Sequence, residues 1–176
     1  MLKLARQIAG DERGSAVVDF AFLLPILMML FVGVVEVTNV LRLDRKVVAA
    51  AQTTADLVTQ RREVSNAQLD DFLRAAELIF EPYAASAITV GIAAVRYDAD
   101  SGDPEVDWTK NKNGGSVPDA LIMAEGLGQP GEGVVVVRVT YDYTPVFFDF
   151  VLNPMEIEET AILRPRRSRF VQGPTS

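Results

Sequence analysis

GSAVVDFAFLLPILMMLFVGVVEVTNV, residues 14–40, is the stretch whose reading decides the fold. After an acid at Asp19 the chain is uncharged over residues 20–35. Two readings compete for it: the core helix of a soluble domain, or a helix lying in a bilayer. Its all-round apolar character favours the bilayer, because a surface helix shows a polar face every turn. Sixteen uncharged residues cover only about 24 Å at the α-helical rise, short of a hydrocarbon core of roughly 30 Å. Counting residues 16–41 gives 26, which is ample if Asp19 and Glu36 sit near the interfaces or find partners. An acid at the bilayer centre costs about 2.5–3.5 kcal/mol on insertion scales, so neither belongs there alone. Pro25 predicts a kink. The apolar run exceeds a signal-peptide core, and residues 36–39 offer no small-residue cleavage site, so the segment is expected to stay attached as an anchor.

The length of 176 residues suits one such segment plus one domain with a modest core. A net charge of −7 and a pI near 4.6 argue against a general nucleic-acid binder. The chain has no cysteine and no histidine. That removes disulfides, thiolate chemistry, the commonest metal ligand and the usual neutral-pH base, so an enzyme is not expected. A cysteine-free body is compatible with an extracytoplasmic address. No GxGxxG, P-loop, GxSxG or HExxH pattern occurs, and no cofactor is expected.

Before the span stand Lys3, Arg6 and Arg13 against Asp11 and Glu12; after it come Arg42, Arg45 and Lys46 with Asp44. Three cations on each side leave the positive-inside rule undecided. The sequence GSAVVDF over residues 14–20, followed by AFLLPILMMLFVGVVEV, resembles the start of the TadE-like family of tight-adherence (Tad) pilus proteins. Family members resemble type IV prepilins, in which a short basic leader ends in Gly, a prepilin peptidase cuts after it, and an acid stands five residues into the mature helix. The resemblance implies processing between Gly14 and Ser15, with Asp19 and Phe20 as assembly residues; the family usually has Glu where Asp19 stands. It also implies a cytoplasmic N-terminus, an inner-membrane location and a domain on the periplasmic or extracytoplasmic side. A Trp in a comparable loop, the Tyr-rich TYDYTP and the basic RPRR look TadE-like as well.

Past the span, Val37, Val40, Leu41, Val47, Val48, Ala51, Ala55 and Val58 recur at helical spacings. Arg42, Arg45, Lys46, Gln52 and Asp56 take the other side. An unbroken helix from residue 15 to about residue 60 would be on the order of 70 Å long; two separate helices are the alternative. SNAQ at residues 65–68 is a capping-box pattern that opens a second helix, with Leu69, Phe72, Leu73, Ala76, Ile79 and Phe80 as its apolar stripe and Pro82 as its stop. From residue 87 the period becomes two: Ile88, Val90, Ile92 and Ala94 share a strand face. Further strands are expected at residues 106–109, at 134–143 with Val135, Val137, Val139 and Tyr141 on one face, and at 157–163. Together these predict an α+β fold with two helices and about four mostly antiparallel strands. The divisions expected are a leader (1–14), a transmembrane helix (15–41), its amphipathic continuation (42–64), the α+β domain (65–164) and a basic tail (165–176).

Few constellations could carry chemistry. Asp98, Asp100 and Asp103, with Glu105 and Asp107, could offer oxygens to calcium, but an EF-hand loop wants Gly where Asp103 stands; a solvated hairpin turn is the bland reading. Trp108, the single Trp, is either core or rim packing or a binding platform. Arg164, Arg166, Arg167 and Arg169 are either a solvated tail or a contact for an acidic partner or anionic lipid headgroups. The sequence therefore predicts a non-enzymatic minor pilin or pseudopilin that assists a Tad-type fimbria, with a membrane, a prepilin peptidase and other pilus subunits as partners. A signal-anchored envelope domain that binds a ligand without being polymerised is the alternative, and an anchored hydrolase a distant third. A relative carrying a vWA domain is disfavoured by length and by the lack of a DxSxS sequence.

Overall fold

The structure, a computed structural model, describes residues 12–145 and 153–174 of the chain, the first four of these as backbone only. Helix α1, Glu12–Thr59, is one continuous run of 48 residues, about 72 Å at 1.5 Å per residue. Neither Gly nor Pro interrupts residues 34–59, so nothing in the local chemistry breaks it, and it also continues through Pro25. The single-helix reading holds. Residues 16–31 are exposed on every side, whereas Leu43, Val47, Ala50, Ala51, Ala55 and Val58 are fully buried. Ala at three of these positions lets a sheet approach closely. The buried stripe is not the one the spacing predicted in full, because Val37 and Leu41 point away from the domain and are 54% and 55% exposed. Glu36 and Leu43 take the inward face in that stretch.

Helix α2, Asn66–Ile79, starts where expected. The Ser65 backbone N–H donates to Gln68 Oε1 at 3.0 Å and the Gln68 N–H donates to Ser65 Oγ at 3.3 Å, so two otherwise orphaned donors are satisfied reciprocally. Leu69, Phe72, Leu73 and Ala76 bury its apolar stripe against α1 and the sheet.

Strands β1 (Ile88–Tyr97), β2 (Pro104–Lys112), β3 (Gly133–Tyr143) and β4 (Met155–Leu163) form one sheet in the order β2-β1-β3-β4. Every neighbouring pair is antiparallel, with Ile92 opposite Val137 and Tyr143 opposite Met155. One sheet face, carrying Ile88, Val90, Ile92, Val135, Val137, Val139 and Tyr141, packs on α1 and α2. The other face carries Ala93, Val95, Tyr97, Val134 and Val136 and is covered by α3, the short helix Ala120–Ala124. Cover on both faces accounts for a second apolar set, Ala93, Val95, Val134 and Val136, standing between the alternating positions that face the helices. Gly91 makes the cover possible: a Cβ there would meet the Ser116 backbone at 2.8 Å.

Strand β3 lies along the domain half of α1. At one end Tyr143 touches Glu36; at the other, the C-terminal segment ties Gly133 to Arg169 and Arg166 to Thr59 through backbone bonds of 2.8 and 3.1 Å. Twenty-three helical steps and ten strand steps both cover roughly 35 Å, which is why the two ends match. The segment continues with Val171 buried and with Gln172 exchanging backbone bonds with Arg62 and Val64, both 3.0 Å. It closes the end of the domain farthest from the exposed half of α1.

Candidate functional site

The exposed half of α1 carries the expected processing and assembly residues. Its apolar side chains face outward all round, with Val17 at 69%, Phe22 at 74% and Phe31 at 64% exposure. The most apolar 18-residue window has a mean hydropathy of 2.5 and no buried residue, so the core-helix reading fails. One helix among the described residues is long and apolar enough to cross a membrane, and it suggests membrane anchoring. Residues 16–35 measure about 30 Å, the thickness of a hydrocarbon core. Gly14 and Ser15 lie in the first turn of α1, and Asp19 and Phe20 are exposed one turn later. Asp19 stands four residues beyond Ser15, on the same side of the helix.

The other acid of the stretch is treated differently. Glu36 is fully buried, and the Tyr143 hydroxyl, on a side chain only 5% exposed, donates to its Oε1 at 2.5 Å. Burial first, and then the hydrogen bond and the negative charge of Glu36, hold the Tyr143 phenol far above its usual range. This pair fastens to the helix the end of the sheet nearest the exposed half of α1. From sequence Glu36 needed an interface or a partner; the partner lies 107 residues away and carried no local signal.

At the distal end the four Arg diverge. Arg164 donates to the Leu127 carbonyl and lies 3.9 Å from Glu132, while Arg166 meets Asp56 at 2.7 Å; Arg167 and Arg169 are exposed. Beside them opens a cleft of about 640 Å³ lined by Glu63, Ser65, Arg96, Trp108, Phe170 and Gln172. The guanidinium of Arg96 stacks on the Phe170 ring at 4.2 Å. Trp108 lies on β2, half-buried, and its Nε1 donates to the Val171 carbonyl at 2.9 Å. Its indole packs against the core and the C-terminal segment, as the rim-packing reading expects, and it also lines the cleft.

The acidic stretch at residues 98–103 is the β1–β2 turn. Asp98 Oδ1 accepts from the backbone N–H groups of Asp100 and Ser101 at 2.9 and 2.8 Å. These bonds, Ser101 first, lower the Asp98 pKa. Asp103 donates its N–H to Ser101 Oγ, and Gly102 takes φ +79°. Among the described residues no three carboxylates gather as a metal site.

One charged network was not anticipated. Arg138, in the middle of β3, reaches Asp119 at 2.8 Å, Glu158 at 3.2 Å and the Thr160 hydroxyl at 3.2 Å. The hydrogen bond from Arg138 lowers the Asp119 pKa. A single Arg inside an apolar strand was the available signal, since a cation on a covered sheet face needs carboxylates.

No known protein among the curated sequences or the solved structures matched the chain. A family model described as TadE-like protein matches residues 14–56. The match begins at Gly14, takes in the whole exposed half of α1 and ends in its buried half, before α2 and the sheet.

Proposed function

We propose, from this TadE-like N-terminal segment, that the chain is a minor pilin or pseudopilin that assists assembly of a Tad-type fimbria. The observation that supports the reading best is the one helix that is wholly exposed and apolar where the family match begins and becomes the spine of an α+β domain where it ends. Such a helix serves two environments, lipid before assembly and the helices of neighbouring subunits within it. The chemistry asked of the protein is non-enzymatic. A prepilin peptidase removes residues 1–14 after Gly14, in the inner membrane with the N-terminus on the cytoplasmic side, and Ser15 gains a free ammonium. In an apolar surrounding that charge is costly. Asp19, one turn on, supplies the opposite charge, to its own helix or to a neighbour's, and Phe20 packs beside it. The domain stands on the extracytoplasmic side, with the Arg164, Arg166, Arg167 and Arg169 cluster at its far end. Arg166 meets the helix at Asp56, twenty residues beyond Glu36, so the cluster stands about 30 Å above that level and suits an acidic partner better than the membrane that holds the helix. The distal cleft favours one second reading, an anchored envelope domain that binds a ligand there without being polymerised.

Three variants separate the readings, expressed in a host with its own Tad system. Gly14→Leu should retain the leader, because the peptidase needs a residue without a side chain at the cut. Asp19→Ala should be cut normally yet enter assemblies poorly, and Asp19→Glu should match the parent. Normal assembly of Asp19→Ala would leave the plain anchor as the account.

A further inference from the structure

Glu36 looks at first like the upper limit of the membrane span, but three features of the structure place the lipid surface higher. The outward face of α1 stays apolar past Glu36: Val34, Val37 and Leu41, spaced three and four residues apart, are 57%, 54% and 55% exposed. The exposed cations Arg42 and Arg45 follow this apolar run immediately, where their long side chains suit headgroups. On the inward face at the same height, Glu36 is fully buried and bonded to Tyr143; a water-level acid needs no such enclosure, whereas an acid below the lipid surface does.

We propose that the lipid surface lies at the level of Leu41 and Arg42, so that the membrane-proximal rim of the domain is seated in the interfacial layer of the bilayer. Leu41 is five residues, about 7.5 Å, along the axis beyond Glu36. The rim consists of the ends of β3 and β4, where Tyr143 pairs with Met155; Met155, a large apolar residue, is 37% exposed there. The occupant is the lipid surface of the chain's own membrane, held by apolar contact around Val37, Leu41 and Met155 and by headgroup contact at Arg42 and Arg45. Such seating fixes the tilt of the domain, and with it the direction in which the distal Arg cluster is presented.

The inference rests on α1 being a membrane span, and the test separates the two. The chain has no cysteine, so single cysteines can be placed at Met28, Leu41, Met155 and Ile122, all exposed. Ile122 lies on α3, packed over the distal halves of β1 and β3. Each variant of the full chain carries an environment-sensitive fluorophore in vesicles of phosphatidylethanolamine and phosphatidylglycerol, and is challenged with aqueous iodide and with doxyl-labelled lipid. The expected result is loss of iodide quenching and gain of doxyl quenching at Leu41 and Met155, as at Met28, with the opposite at Ile122. Iodide quenching at Leu41 and Met155 equal to that at Ile122, with Met28 still protected, would overturn the seating alone. Iodide quenching at Met28 too would overturn the span and the seating together.

Discussion

Tyr143→Phe tests whether the Glu36 contact fastens the sheet to the helix. The ring, 5% exposed, stays in place, and only the hydroxyl that donates to Glu36 Oε1 at 2.5 Å is lost. A hydrogen bond to a charged group contributes about 1.5–3 kcal/mol when its loss leaves the charge buried. For a chain of this size each kcal/mol moves the melting temperature by about 2–4 °C, so the full-length protein in detergent should melt about 3–12 °C lower. Near-ultraviolet circular dichroism follows the transition. Glu36→Gln retains an acceptor oxygen for the same hydroxyl and should cost less than the loss of the hydroxyl. The double variant closes a cycle in which contacting residues couple by about 0.5–3 kcal/mol. An unchanged melting temperature for Tyr143→Phe, or strict additivity in the cycle, would refute the fastening role.

Two other expectations follow from the charged groups. Replacing Arg164, Arg166, Arg167 and Arg169 together by Gln should lower the melting temperature by no more than about 8 °C, because their two exposed ion pairs, to Glu132 and Asp56, contribute about 0.2–1 kcal/mol each; a larger drop in a thermal melt would make the cluster structural. Asp119, whose pKa Arg138 lowers below the ordinary aspartate value near 3.8, contributes stability that is complete above that value and is lost as the pH falls through the lowered one. Arg138→Gln should therefore flatten the acid limb of stability against pH in urea titrations, and an unaltered limb would contradict the assignment.

The elements with local signals were legible. The capping box at Ser65 and Gln68 opened α2, period two marked β1 and β3, and the lack of Gly and Pro after residue 34 allowed α1 to run on. What escaped was set by distant packing. Helix α3 is five residues long, too short for a periodic signal, and the second core it builds exists because β1 and β3 are buried on both faces. The outward turn of Val37 and Leu41 was hidden for a related reason: apolar spacing cannot say which of two apolar stripes meets the domain and which stays exposed. The Glu36–Tyr143 and Arg138–Asp119 contacts join residues far apart in the chain. At the candidate site, the roles of Gly14, Ser15, Asp19 and Phe20 are proposals drawn from a contiguous pattern, while the divergence of the four Arg depends on Asp56 and Glu132, which sequence proximity does not bring near them.

The central claim is that this is a prepilin-like subunit whose mature helix begins at Ser15. Its most direct test is the mature N-terminus, read by intact mass and terminal sequencing on protein from the membranes of a host with its own prepilin peptidase. The account predicts a membrane-bound product beginning at Ser15, shorter by the 14 residues that end at Gly14. A product that keeps Met1 at its start, or a soluble one that begins beyond Glu36, would contradict it.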